Sequence, residues 1–266
     1  MKNQSPVTQP VIQVRDVYFD YSTPVKVPWI KGLPFKRVIQ QKHTALKGIS
    51  LDIQPGKITA LLGRNGSGKT TLIKVMTGAR FPSSGTVSLF GNDPQAVRHR
   101  IGLCLGGSLV YHRLTGRENL EYFGKLYGVP NLDRRIYQLA ELLRLEKNLD
   151  QLVESYSFGM KVKLALARSM IHSPELLILD EPTLGIDLQL ATQIRDFVKN
   201  LNCSVLLTTH YMEEAELLAE DVCIIDHGKI LASGTKENVL RKFKVQTIPQ
   251  VFSMVVNRTP ALEGHA

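Results

Sequence analysis

The segment GRNGSGKT, residues 63–70, constrains the fold of this chain more than any other stretch. It follows the strand-like run KITALL and opens the helix-like run TLIKVM, the context that a phosphate-binding loop requires. Its glycines let the backbone wrap closely round phosphates, whose charge is attracted by successive N–H groups and by the helix start. The residues predicted to bind nucleotide here are Gly63, Arg64, Asn65, Gly66, Ser67, Gly68, Lys69, Thr70 and Thr71.

Two residues of this loop have predicted roles in phosphate chemistry. Lys69 is predicted to reach the β and γ phosphates, and Thr70 is predicted to coordinate Mg²⁺. A plain glycine-rich turn is the alternative interpretation, but it does not explain why a strand precedes the loop and a helix follows it. The pattern therefore predicts a nucleotide site that requires an acidic partner for its metal.

The run LLILDEP, residues 176–182, supplies that partner. Its apolar residues predict a buried strand whose carboxyl end places Asp180 beside the phosphates, where it would hold Mg²⁺ through water. Glu181 follows directly, and adjacent side chains at a strand end point to different sides of the backbone. Asp180 can therefore serve the metal while Glu181 takes a proton from the attacking water.

The order of strand-like and helix-like runs indicates an α/β fold. LLILD and SVLLTTH are apolar throughout, as expected of strands that are covered on both faces in a parallel sheet. The stretch at about 107–170 has helix signals and hardly any strand signals, so it is interpreted as a helical insertion. The predicted helices lie at 69–78, 117–127, 132–146, 158–172, 187–201 and 211–219.

Composition excludes several classes of protein. Hydrophobic residues are 43% and charged residues 21% of the 266-residue chain, which is typical of a globular rather than a disordered protein. The longest apolar runs are far shorter than the roughly 20 residues of a membrane span. The first residues, MKNQSPVTQP, lack a secretion signal, so we expect a cytoplasmic protein. Cys104, Cys203 and Cys223 are predicted to be reduced, buried thiols.

The net charge of +9 is concentrated in part between Tyr21 and His43. Prolines, a glycine and the single Trp accompany the basic residues of this segment, so the sequence predicts an irregular basic loop. Such a loop is either a solvated surface or, at residues 22–43, a contact for lipid headgroups or a membrane-embedded partner. The segment has no acidic residue, and its basic residues are Lys26, Lys31, Lys36, Arg37 and Lys42.

The ordered motifs resemble those of the ATP-binding subunits of ATP-binding cassette (ABC) transporters. GRNGSGKT is similar to the Walker A loop and LLILDEP to the Walker B strand, while TLGID and TTHYMEEAE resemble the D-loop with Asp187 and the switch region with His210. Tyr21 falls where the family places an aromatic side chain that stacks on adenine. The resemblance covers residues 11–240 and leaves residues 241–266 as a tail of unknown role.

This resemblance implies a P-loop NTPase core with a mixed sheet flanked by helices, plus an antiparallel β part and the inserted helical subdomain. It also assigns the turn YSFGMK, where Ser157, Phe158, Gly159 and Met160 align with the signature motif LSGGQ. In that family two cassettes face each other head to tail, and this turn binds the γ-phosphate of ATP held by the opposite subunit. Asp187 is expected to link the two sites across that interface.

Two departures from the family pattern stand out. Phe158 and Met160 replace the first Gly and the final Gln of the signature, although Ser157 and the second Gly are kept. In IGLCLGGSLVYHRLTGRENL, Gly106 and Gly107 stand where the family has a metal-contacting Gln. We still expect a competent ATPase. How the helical insertion senses the γ-phosphate, and therefore how fast hydrolysis is, stays open.

The implied mechanism is a clamp with ATP and Mg²⁺ as ligands. ATP bridges two copies of the chain, Glu181 and His210 carry out hydrolysis, and loss of the γ-phosphate removes the bridge. The chain is expected to act through transmembrane permease subunits, as a peripheral protein at the cytoplasmic face of the inner membrane. The turn YSFGMK and the insert before ALKGIS resemble ABC-2 type exporters more than importers.

Two other functions remain open from the sequence alone. The basic charge permits a soluble ABC protein that acts on nucleic acid or ribosomes, but such proteins usually have paired cassettes or a long coiled-coil insert, and neither is present. We therefore expect no nucleic-acid partner. A P-loop kinase or GTPase would leave YSFGMK without a purpose.

Overall fold

The computed structural model describes residues 9–26, 38–105 and 110–256. Its strands are β1 (Ile12–Lys26), β2 (Val38–Ile53), β3 (Ile58–Leu62), β4 (Ser84–Leu89), β5 (Ile101–Leu105), β6 (Leu176–Asp180), β7 (Ser204–Thr209), β8 (Asp221–Asp226) and β9 (Lys229–Thr235). Its helices are α1 (Lys69–Met76), α2 (Gly116–Leu126), α3 (Leu132–Leu143), α4 (Phe158–Met170), α5 (Leu188–Lys199), α6 (Met212–Leu218), α7 (Lys236–Phe243) and α8 (Ile248–Val256).

The strands form a larger mixed sheet and a smaller antiparallel one. The larger sheet has the order β5-β6-β7-β3-β8-β9, in which β9 is antiparallel to β8 and the other neighbours are parallel. The smaller sheet has the order β2-β1-β4 and is antiparallel throughout. The predicted α/β fold with a mixed sheet and an antiparallel β part is confirmed.

Strand β6 explains how the larger sheet is covered on both faces. Because successive side chains of a strand point to opposite faces, Leu177 and Leu179 join the core under α2–α5, while Leu176 and Ile178 join the core that includes α1 and the smaller sheet. All four side chains have 0% exposure. This double coverage is why LLILD is apolar without alternation.

Helices α2, α3 and α4 pack together between β5 and β6 in chain order. Helix α2 begins with a reciprocal capping box, in which Thr115 accepts from the Glu118 amide and Glu118 accepts from the Thr115 amide. Helix α3 ends three residues before the predicted position, because Arg144 takes a left-handed conformation (φ 54°) that closes the helix. The predicted domain boundaries, 107–170 and 240, remain predictions.

The prediction of an irregular loop between Tyr21 and His43 is wrong for both flanks of that segment. Residues 21–26 pair with residues 38–43 in regular antiparallel register, from Tyr21 opposite His43 to Lys26 opposite Val38. Pro24 is tolerated here because β4 pairs with β1 only as far as Tyr18, so one edge of β1 needs no ladder hydrogen bonds. Residues 27–37, with much of the predicted membrane contact, lie outside the described residues.

The C-terminal part of the described chain forms helices that the sequence analysis did not predict. α7 begins at the cap Thr235, whose hydroxyl accepts from the Asn238 amide, and it crosses the predicted boundary at residue 240. α8 packs against α6, and its Ile248 and Val251 are fully buried beside Ala215. At least residues 248–256 therefore contribute to the core.

The cysteines form no disulfide; Cys104 and Cys223 are buried, and Cys203, directly before β7, is half-buried. Burial raises the pKa of both Cys104 and Cys223 to about 12, which keeps these thiols protonated and inert. Within the described residues, every helix is too short or too polar to cross a lipid bilayer.

Candidate functional site

The phosphate-binding loop connects β3 to α1 and depends on its glycines. Gly66 and Gly68 have φ values of 80° and 111°, in the left-handed region that other residues rarely adopt. A Cβ atom on Gly63 would lie 2.5 Å from the Ile225 carbonyl oxygen of β8. Gly68 caps α1 without a side-chain hydrogen bond, so the first amides of that helix are available to an anion.

Lys69 is the first residue of α1, and its side chain is only 6% exposed. Its ammonium donates hydrogen bonds to the carbonyl oxygens of Gly63 (2.8 Å) and Arg64 (3.3 Å), and it lies 3.3 Å from a carboxylate oxygen of Glu181. The loop therefore folds around its own cation. A buried cation in this position attracts phosphate strongly, because water screens it little.

Thr70 and Asp180 form a pair of oxygen ligands beside the loop. The Thr70 hydroxyl donates to one carboxylate oxygen of Asp180 at 3.2 Å, and the Thr208 hydroxyl donates to the other. Hydroxyl and carboxylate oxygens are suitable ligands for Mg²⁺, which usually takes the rest of its octahedral shell from water and phosphate. Within the described residues there is no cluster of three or more Asp, Glu, His or Cys side chains that could hold a metal alone.

Glu181 has an unusual backbone conformation, with φ at 51° directly after β6. The left-handed region is costly for a residue with a Cβ atom. Here the conformation is stabilised by a hydrogen bond from the Glu181 amide to the Thr208 carbonyl at 3.1 Å. The sharp change of direction turns the Glu181 side chain away from Asp180, toward Lys69 and His210. His210 Nδ1 lies 2.6 Å from a carboxylate oxygen of Glu181.

These residues meet at a cleft of about 400 Å³. Tyr21 reaches this cleft from β1, and its hydroxyl lies 3.1 Å from the Thr71 hydroxyl. Sequence reasoning missed Thr208, which holds Asp180 and Glu181, because a Thr in a buried strand gives no functional signal. It also missed side chains that line the cleft from β2 and from the β8–β9 turn, namely His43, Lys47 and His227.

The signature turn lies on a separate cleft of about 460 Å³ that shares no lining residue with the first among the residues described. Ser157 caps α4, and its hydroxyl accepts from the Met160 amide at 3.2 Å. Asp187 caps α5 in the same way, accepting from the Leu190 amide at 2.9 Å. Phe158 projects between them with 52% exposure.

The structure thus brings the phosphate loop, Asp180, Glu181, His210 and Tyr21 together, and it places the signature turn with Asp187 elsewhere. Gly106 and Gly107, at the position of the expected Gln, lie outside the described residues. The roles predicted for all these residues remain predictions.

Known proteins resemble this chain in sequence and in fold. The ABC transporter profile matches residues 46–184. The chain is 33% identical to the ABC transporter ATP-binding protein NatA of Bacillus subtilis, over 78% of this chain and 89% of the relative. It is 37% identical to a Nod factor export ATP-binding protein I of Cupriavidus metallidurans, over 77% of this chain and 70% of the relative.

A solved structure of an ATP-binding subunit of an ABC transporter superimposes with a TM-score of 0.78 and 24% identity, over 92% of this chain and 99% of that one. At that identity the likeness shows the fold alone. The family profile matches just over half of this chain, and the chain covers most of the length of these relatives. This chain therefore belongs to the ABC transporter family as an ATP-binding protein.

Proposed function

We propose that this chain hydrolyses ATP as a dimer and thereby drives an exporter whose membrane-spanning part is supplied by other subunits. The observation that carries the proposal is the contact network at the phosphate loop, in which the Lys69 ammonium lies 3.3 Å and His210 Nδ1 lies 2.6 Å from the carboxylate oxygens of Glu181. A buried cation, a carboxylate and an imidazole at a nucleotide-type loop are the groups that phosphoryl transfer to water requires.

Each residue of the phosphate site has a role that its position supports. The glycine-rich backbone and the start of α1 bind the phosphates, and Lys69 neutralises their charge. Tyr21, at the edge of the cleft, provides an apolar ring on which adenine can stack. Thr70 and Asp180 would hold Mg²⁺, which would neutralise the charge that develops on the phosphates.

The hydrolytic step is assigned to Glu181 and His210. Glu181 accepts a proton from water as the water oxygen attacks the γ-phosphorus, and the bond from that phosphorus to ADP breaks. His210 contacts the Glu181 carboxylate directly, so it holds this side chain in place and presents its other ring nitrogen for a phosphate oxygen. The left-handed backbone at Glu181 fixes the direction of the carboxylate.

The signature turn is proposed to complete the site of a second copy. Ser157, Phe158, Gly159 and Met160 lie at the start of α4, where a hydroxyl and free amides favour an anion. Their cleft is distinct from the phosphate cleft, so they cannot act on a nucleotide bound in the same chain. Asp187, next to this turn, is proposed to contact the partner copy across the interface.

Transport in the outward direction is supported by the relatives. Nod factor export ATP-binding protein I is named for export, and it shares 37% of its aligned residues with this chain. We infer that the chain binds transmembrane permease subunits at the cytoplasmic face of the inner membrane, with a further contact to the membrane through residues 22–43. Nucleic acid is not among the proposed partners.

Dimer formation by a Glu181→Gln variant tests this proposal. Without the base carboxylate, ATP stays bound between two copies, so size-exclusion chromatography with light scattering should detect a dimer in Mg²⁺ and ATP and a monomer in ADP. The wild-type chain should hydrolyse ATP at least about a hundredfold faster than the variant. Equal hydrolysis rates would remove Glu181 from the chemistry, and a variant that stays monomeric in ATP would refute the shared site.

A further inference from the structure

Glu214 is a buried acidic residue that the hydrolytic mechanism above does not use. It lies in the first turn of α6, four residues after His210, and is 2% exposed. Its neighbour Glu213 is exposed, and Glu216 forms an ion pair with Lys236 at 2.9 Å. Glutamate is almost never buried to this extent without a partner of opposite charge, so its position requires a reason.

One carboxylate oxygen of Glu214 joins two functional segments. Oε1 accepts a hydrogen bond from the Thr183 hydroxyl at 2.9 Å, and Thr183 is itself 8% exposed. Thr183 belongs to the segment that runs from Glu181 to Asp187. The bond therefore connects the helix that follows His210 to the segment that carries the base carboxylate at one end and the predicted interface residue at the other.

The second oxygen of Glu214, Oε2, is buried and has no hydrogen-bond partner in the described part of the chain. An ionised carboxylate with one unpaired buried oxygen is far more costly than a neutral acid in the same place. Burial raises the pKa of Glu214, and so does the charge of Glu181, while Thr209, Thr183 and Arg195 oppose the shift without cancelling it.

The charged groups that face Glu214 are therefore Glu181, from the neighbouring segment, and Arg195, from α5. β3, β7 and α8 also pack against α6 and contain no charged residue, and Lys236 at the start of α7 forms its ion pair with Glu216. No nearby cation offsets the burial fully, so Glu214 keeps its proton to higher pH than an exposed glutamate does.

We propose that Glu214 is a positioning residue for ATP hydrolysis, which fastens α6 to the Glu181–Asp187 segment through Thr183. This inference rests on the proposed roles of Glu181 and His210. When the bond is present, α6 and the segment move as one unit, and the 2.6 Å contact between His210 and Glu181 is kept. When it is absent, or when ionised Glu214 repels Glu181, that contact loosens and hydrolysis slows.

Three single variants separate this role from simple packing. Glu214→Gln keeps the shape and an oxygen that accepts from Thr183, Glu214→Ala removes both, and Glu213→Gln is the exposed control one residue away. In the full-length chain we expect Glu214→Ala to lower kcat about tenfold, with Glu214→Gln retaining most of it and Glu213→Gln unchanged. KM for ATP should change little, because Glu214 does not line the phosphate cleft.

The pH dependence gives a second readout. In the pH range between the ordinary and the raised pKa of Glu214, the folded chain binds more protons than the unfolded chain, so stability falls as pH rises. Glu214→Gln removes that slope and also keeps hydrolysis active at pH values above this range, where the wild-type rate declines. Urea unfolding and hydrolysis rates, each measured from about pH 5 to about pH 9, compare the two proteins.

Thr183→Val tests the same bond from the other side and covers the case in which Glu214→Ala does not fold. If the bond matters, Thr183→Val slows hydrolysis about as much as Glu214→Ala, and the double variant is no slower than either one. Additive effects, a Gln variant as slow as the Ala variant, or identical pH profiles would each overturn the positioning role. Failure of the proposed function is distinguishable, because Glu181→Gln would then hydrolyse ATP normally whatever Glu214 does.

Discussion

The phosphate site and the signature turn differ in how far contacts within one copy of the chain cover their side chains. At the phosphate site, Lys69 is 6% and Glu181 17% exposed, and both make several contacts within the chain. At the signature turn, Phe158 is 52% exposed, and Leu188 at the adjacent start of α5 is 77% exposed. Contacts within one copy of the chain therefore leave large apolar side chains uncovered at the signature turn.

This difference assigns different tasks to the two regions. The phosphate site is preorganised, since its cation, its carboxylates and its strained backbone residue are held by neighbours before any partner arrives. The signature turn offers a helix start and a capping hydroxyl that already has one backbone partner. Substitutions in the first region should therefore remove chemistry outright, while those in the second should remove only what a second copy adds.

The largest effect is expected for Lys69→Ala. It removes the buried positive charge from the phosphate loop and leaves Glu181 with His210 as its remaining close partner, so hydrolysis should fall about a thousandfold. Lys74→Ala is the matched control, because Lys74 lies on the same helix with an exposed side chain. A steady-state phosphate-release assay compares the two, and a Lys69 variant within tenfold of wild type would contradict a preorganised phosphate site.

An intermediate effect is expected for Ser157→Ala, compared with Thr235→Ala. Both residues are helix caps whose hydroxyls accept a backbone amide at 3.2 Å, so each variant should lose about 1 kcal/mol of stability. Ser157→Ala alone should also slow hydrolysis, by about tenfold, because its hydroxyl is proposed to contact the nucleotide held by the partner copy. Urea unfolding and hydrolysis rates check the pair. Equal loss of activity in both variants would mean that the signature turn acts only through folding.

The phosphate loop and the two carboxylates could be predicted because their chemistry is encoded in adjacent residues. KITALLGRNGSGKT and LLILDEP each contain the strand, the turn residues and the reactive side chains within a few positions. Contacts between distant residues could not be predicted in this way. Thr208 hydrogen-bonds to Glu181 from a neighbouring strand. The left-handed backbone at Glu181 could not be predicted either, because the residue is not a glycine.

The flanks of the 21–43 segment show where composition misleads. Its prolines, glycine and lysines favoured an irregular loop, but Pro24 lies where β1 has a single neighbour and costs no ladder bond. α8 was missed for a similar reason: its apolar run gains stability from packing on α6, and that contact is invisible in a sequence read locally.

The smallest effect is expected for Tyr21, which lies at the edge of the phosphate cleft. Tyr21→Ala removes the ring proposed to stack on adenine, at a cost of about 1 kcal/mol, so the affinity for ATP should fall about fivefold. Tyr21→Phe keeps the ring and loses only the hydroxyl contact to Thr71, so its affinity should fall less than about twofold. A fluorescent ATP analogue titrated into each variant measures these values. If the ring acts on binding and Ser157 acts on closure, as proposed, Tyr21→Ala should raise KM more than it lowers kcat, whereas Ser157→Ala should do the reverse. The opposite result for either variant would place both residues in one step and erase the distinction between the two regions.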